Sequence, residues 1–215
     1  MNLSFQSLTD SVQKDSSAKV LVLSNLITIV LAVVFSWSIM IILWSYWLQS
    51  VIIGFFNFFK ILTLKDYSTE GMKISGMRGQ PAATTGIKIF IAFFFAFHYG
   101  FFHLVYSFIL GAFTFASQAI TFTDLNFILL AGIIFFFNHL FSFLYFKSKP
   151  QKKANIGTVM FFPYARIIPM HLTIIFGGMF LYLGIGSVFV LILFLGLKTV
   201  ADLVMHSIEH KEQLL

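Results

Sequence analysis

Of 215 residues, 59% are hydrophobic and 10% charged, the mean hydropathy is +0.92, and the formal net charge is +6. An ordinary soluble domain carries about 25% charged residues, so a soluble enzyme is excluded and a polytopic membrane protein is expected. The complete absence of cysteine removes disulfides, thiolate metal sites and a cysteine nucleophile.

Residues 1–19, which include Asp10 and Asp15, lack the cationic start and short apolar core of a cleaved signal peptide and are expected as a cytoplasmic tail. Beyond them, 20–59, 89–123, 125–146 and 167–197 contain no Asp, Glu, Lys or Arg. One membrane-spanning helix needs about 20 such residues, so two of these runs must each hold more than one helix.

The expected elements are six transmembrane helices over 20–36, 38–62, 88–115, 125–146, 163–184 and 187–208, followed by a cytoplasmic tail over 209–215. The first is short. The third and fourth are separated by the polar turn Ser117 to Asp124, and the fifth and sixth by Gly184 and Gly186. The connection from about Asp66 to Thr85 is rich in Gly, Ser, Thr and charge and is expected as a flexible loop. The fold class is therefore an all-α integral membrane bundle.

Lys and Arg cluster before the first helix, between the second and third, between the fourth and fifth, and after the sixth. The alternate connections carry none. The positive-inside rule then places both termini in the cytoplasm, with a prokaryotic cytoplasmic membrane as the expected location. This topology and the attraction of anionic headgroups account for the net charge, which leaves no argument for nucleic acid. The partners expected are the lipid bilayer, an unknown small-molecule or lipid substrate, and a second copy of the chain as an option.

Thirty phenylalanines, in runs such as IFIAFFFAF and IIFFFNHLFSFLYF, read as lipid-facing and packing surface, because Phe is favourable at bilayer depth. Trp37, Trp44, Tyr46 and Trp47 read as anchors and packing residues. No repeat of the first three helices is visible in the last three, which argues against an inverted-repeat transporter.

Five of the six histidines, His98, His103, His139, His171 and His206, fall inside or beside these apolar stretches. Ionisable groups are costly in lipid and default to a functional-site hypothesis. At about 1.5 Å per residue, His98 lies about 15 Å from Lys88, and His139 and His171 each about 12 Å from Lys147 and Pro163. Asp202 sits at a comparable depth from its own helix end, so four helices place polar groups in one expected layer of the inner leaflet.

Lys198, Asp202 and His206 recur at i, i+4 and i+8 and form one helical stripe. A Lys198–Asp202 pair suits a structural salt bridge and an acid–base role equally well. His98 and His103 are five residues apart, about 140° around a helix, so His103 is expected as a packed or hydrogen-bonded residue rather than a ligand. Pro169 frees a backbone carbonyl and can kink the fifth helix, which favours an inward-facing His171.

The candidate metal ligands are His98, His139, His171 and His206, with Asp202 and Lys198 as catalytic candidates. Such a nitrogen and oxygen set suits zinc or iron, and an open position would activate water. A bis-histidine haem suits less well, because Asp202 and Lys198 would then need another reason. Arg166 could hold a phosphate or carboxylate, or act simply as a cationic anchor. A rhomboid-type serine protease is rejected: HYGFFH imitates its paired histidines, but no GxSG segment follows.

The string YWLQSVIIGFFNFFK at 46–60, HYGFFH, the Asn138–His139 pair, PYARIIPMHLTIIFGG from 163 and the Lys198, Asp202, His206 stripe together resemble an uncharacterised family of prokaryotic membrane proteins, domain of unknown function 6498. The resemblance covers nearly the whole chain. It implies topology and carries no activity. Where the family has an acidic residue in the YW segment this chain has Gln49, which argues against an acid or ligand role there.

Three functions follow for the same residues. The first is a metal-dependent intramembrane enzyme acting on a lipid-like substrate. The second is a proton-coupled carrier or proton pathway, since histidine changes charge near neutral pH. The third is a structural or assembly subunit whose polar groups merely hold helices together.

Overall fold

The computed structural model describes residues 38–76, 78–117, 122–148, 153–182 and 187–214, with isolated pairs between 22 and 34. The helix expected over 20–36 therefore lies largely outside the described residues. The elements in order are α1 (Ile39–Thr63), β1 (Tyr67–Ser68), α2 (Thr85–Ser117), α3 (Phe122–Ser148), β2 (Ala154–Asn155), α4 (Ile156–Phe161), α5 (Tyr164–Tyr182) and α6 (Ser187–Leu214).

Three helices are long and apolar enough to cross a membrane: Ile39–Thr63, Thr85–Ala116 and Asp124–Ser148. Their surfaces carry large apolar groups in the open. Phe97, Phe108 and Phe115 of α2 are 79%, 70% and 88% exposed, and Phe141 of α3 is 72% exposed. A soluble monomer rarely tolerates contiguous apolar surface of this extent, whereas lipid is its natural solvent.

The chain divides into two compact units, one comprising Met40–Tyr164 and the other Met1–Ile39 with Ala165–Leu215. The Met40–Tyr164 unit holds α1 to α4. Its core includes Leu43, Phe56, Ile61, Phe95, Tyr99 and Leu110, all buried. Two glycines set how closely its helices approach. A Cβ on Gly54 of α1 would collide with the Tyr99 ring of α2, and a Cβ on Gly132 of α3 would collide with the Leu48 side chain of α1. Small residues at membrane helix contacts allow such approach and the dispersion contact it brings.

The helix ends follow from local chemistry. Thr84 Oγ1 accepts from Ile87 N at 3.4 Å and Thr84 O accepts from Lys88 N at 3.0 Å, so α2 begins before Lys88. Asp124 lies in the first turn of α3 and Lys147 in its last, each complementing the helix dipole. Lys60 in the last turn of α1 sets its ammonium 4.7 Å over the Phe146 ring, joining the ends of α1 and α3 by a cation–π contact.

The connection after α1 is not the flexible loop that its composition suggests. Tyr67 and Ser68 pair in parallel with Ala154 and Asn155, and Lys88 Nζ donates to Leu64 O at 2.9 Å. Tyr67 Oη donates to Thr84 O at 2.6 Å, and Thr69 Oγ1 donates to Pro81 O at 2.6 Å. Burial holds the Tyr67 phenol above its ordinary pKa, so it remains a donor. Gly71 takes a positive φ of 74° at the turn where Met72 N donates to Thr69 O, a conformation glycine adopts without steric cost.

Asn155 closes this cap. Its Oδ1 accepts from Gly157 N and Thr158 N, capping α4, while its Nδ2 donates to Glu70 O at 2.9 Å. Asn57 of α1 donates to Val159 O of α4 at 3.1 Å. Composition misleads here because Tyr67, Thr69 and Asn155 each have a specific backbone partner.

In the second unit, α5 contains Pro169, and Thr173 Oγ1 donates to Pro169 O at 2.8 Å. In α6, Thr199 Oγ1 donates likewise to Leu195 O at 2.7 Å. Val190, Leu191, Phe194 and Leu195 of α6 are buried.

Gly54→Ala is expected to cost about 1–3 kcal/mol by forcing the Tyr99 ring aside, whereas Gly111→Ala, with open space around its Cβ, should be neutral or gain up to about 1 kcal/mol. Thermal unfolding in detergent compares the two. Asn155→Ala should cost about 1–2 kcal/mol through the lost cap and speed proteolysis between 66 and 84, while Asn155→Asp, which keeps the acceptor but loses the donor to Glu70 O, should restore the cap of α4 and leave that proteolysis fast.

Candidate functional site: a histidine–tyrosine array on α2

Three residues of α2 organise the polar interior of the Met40–Tyr164 unit. Tyr99 is buried, its hydroxyl donating to Ser50 O at 3.0 Å while lying 2.8 Å from Ser50 Oγ. With the phenol donating to the carbonyl, the serine hydroxyl donates back to the phenol oxygen, so both are satisfied. Trp47 Nε1 donates to His103 O at 2.9 Å, and Trp44 Nε1 donates to Thr114 Oγ1 at 2.9 Å. The polar edge of α1 is thus tied along the length of α2.

His103 is 4% exposed, and its Nδ1 lies 2.9 Å from Tyr99 O. Its ring stands 4.3 Å from that of Tyr99. It is the packed, hydrogen-bonded histidine expected from its spacing.

His98 is exposed, and its Nδ1 lies 2.8 Å from Tyr164 Oη. Phe94 stacks on the imidazole at 5.5 Å with an 11° interplanar angle, and Phe102 meets it edge-on at 5.1 Å. The Tyr164 ring packs edge-on against Tyr99 at 5.3 Å and Phe95 at 5.9 Å. Two buried rings therefore hold the phenol that orients His98.

The other candidates distribute as follows. His139, on α3, is half-buried and belongs with His98 to the Met40–Tyr164 unit. His171, Lys198, Asp202, His206 and Arg166 belong to the second unit. His171 is exposed rather than inward-facing; Pro169 precedes it but does not turn it into the core. The side chains of His206 and Arg166 lie outside the described residues.

Lys198 Nζ donates to Asp202 Oδ2 at 2.7 Å, with the two side chains 22% and 10% exposed. This i, i+4 pair brings two of the sequence-predicted site residues to bonding distance. Among the described residues no group of three or more His, Cys, Asp or Glu is gathered to hold a metal ion. A histidine metal cluster accordingly finds no support in this geometry.

Sequence reasoning missed Tyr164, Tyr99 and Ser50. The signal was present: Ser50 and Gly54 form a small-xxx-small pair on α1, the pattern that brings helices close enough for a tyrosine to reach a serine backbone.

A protein-family model described as "Family of unknown function (DUF6498)" matches residues 7–215. No curated protein and no solved structure matches the chain.

Because Asp202 is nearly buried, Lys198→Met should remove its ammonium partner and cost about 1–3 kcal/mol. The double variant Lys198→Met/Asp202→Asn should recover most of that loss. Equal losses in single and double variants, measured by thermal unfolding, would show the pair to be uncoupled.

Proposed function

We propose, for a chain that belongs to the DUF6498 family and inherits no activity from it, an integral membrane protein that binds a lipid-like molecule at His98 and uses His98 with Tyr164 as a proton donor–acceptor pair. The proposal includes six membrane spans with both termini in the cytoplasm. The observation that carries it is the setting of His98: an imidazole in contact with Tyr164 Oη at 2.8 Å, exposed between Phe94, Phe97 and Phe101, themselves exposed.

A polar group with such neighbours is reached from the lipid phase rather than from water. This favours a lipid-like ligand over the proton-pathway reading, which needs a hydrated route on both sides. The chemistry follows from the hydrogen bond. When Nδ1–H donates to the phenol oxygen, Nε2 is an acceptor; when the phenol donates to Nδ1, Nε2–H is a donor. The two arrangements are tautomers of the imidazole: in the first Nε2 can accept a proton from a headgroup hydroxyl, and in the second Nε2–H can hold a headgroup oxygen.

As a separate reading within the second unit, Lys198 and Asp202 form an acid–base pair of their own.

The test is mass spectrometry of lipids retained when wild type and His98→Phe are extracted in polymer-bounded membrane discs and exchanged into detergent. Wild type should keep one lipid class near stoichiometry and His98→Phe should lose it, with unchanged thermal stability. An identical lipid complement in both proteins would overturn the proposal.

A further inference from the structure

A second polar atom of α2 is left over once the hydrogen bonds of the Met40–Tyr164 unit are assigned. His103 Nδ1 lies 2.9 Å from Tyr99 O, and a carbonyl oxygen only accepts, so the proton sits on Nδ1. In a neutral imidazole the lone pair is then on Nε2. That Nε2 is buried and has no hydrogen-bond partner among the described residues. Buried polar atoms are almost always satisfied, and each exception asks for an occupant.

The ring cannot turn to satisfy itself. Its Nδ1 is held by Tyr99 O, its face lies 4.3 Å from the Tyr99 ring, and Tyr106 stands edge-on at 6.3 Å. The backbone is fixed as well, since Trp47 Nε1 donates to His103 O at 2.9 Å. An N–H to backbone carbonyl bond that fixes the tautomer and aims the other nitrogen is how proteins present a histidine lone pair to a guest.

We propose that His103 Nε2 is the acceptor of an internal site, within the Met40–Tyr164 unit, for a small uncharged molecule bearing one O–H or N–H donor. The guest is uncharged because no described Asp, Glu, Lys or Arg is hydrogen-bonded or ion-paired to His103, and a charge buried without a partner is heavily penalised. It is not a protein-ligated metal ion, since no further ligands are gathered there among the described residues. The donor requirement follows from the lone pair. The site is separate from His98, which is exposed and about 140° away around the helix.

The experiment is nitrogen-15 NMR of histidine-labelled full-length protein in lipid nanodiscs, titrated with phenol and with anisole, which has the same ring and no donor. The expected result is an unprotonated Nε2 resonance that moves with phenol, which binds about tenfold more tightly than anisole, the worth of one buried hydrogen bond. His98→Phe should leave this response unchanged, so failure of the lipid-like reading at His98 does not carry over. His103→Phe should abolish the preference for phenol; if that variant does not fold, the phenol and anisole pair on wild type decides alone. The proposal is overturned if the two probes act alike, if Nε2 is protonated, or if it is already hydrogen-bonded by a resident water and phenol leaves it unmoved.

Discussion

The pair of hydrogen bonds between Tyr99 and Ser50 is what the rest of the Met40–Tyr164 unit is arranged around. It exists only because Gly54 leaves room for the phenol ring, at a distance where any side chain on α1 would collide. Lipid offers no alternative partner to a tyrosine or serine hydroxyl, so a polar contact inside the bilayer must be complete. The Tyr99 ring in turn supports Tyr164 edge-on and His103 at a 31° tilt. The two histidines of HYGFFH therefore receive their orientations from one residue between them.

That shared support explains why the two histidines differ in character. His98 presents an imidazole outward, stacked on Phe94 and steered by a phenol. His103 faces inward with its proton committed to the backbone. Five residues on a single helix, about 140° around it, separate an accessible imidazole from a sequestered one whose proton is held by a carbonyl.

The long apolar helices were legible in the sequence because absence of charge over twenty or more residues leaves few other structures. The α1 helix runs over Ile39–Thr63 where 38–62 was expected, and α2 begins at Thr85 rather than 88 because Thr84 caps it. The packed state of His103 followed from its spacing. The cap did not, since its order depends on partners such as Asn155 with Glu70 and Tyr67 with Thr84 that composition cannot pair. The Lys198–Asp202 contact was readable from an i, i+4 spacing, whereas a site assembled from four helices has no local signature. His171 shows the limit: a nearby proline indicates where a backbone bond is lost and says nothing about which way the neighbouring ring faces.

The side-chain amide of Asn57 has a bearing on biogenesis. Its partner, the Val159 carbonyl, is 102 residues further along the chain, and β1 likewise meets β2 only after α2 and α3 have been made. During synthesis the end of α1 must wait with an unmet amide while two long apolar segments leave the ribosome and enter the membrane. The cap is thus the last part of this unit to close, and its closure marks a unit whose three long helices have all arrived.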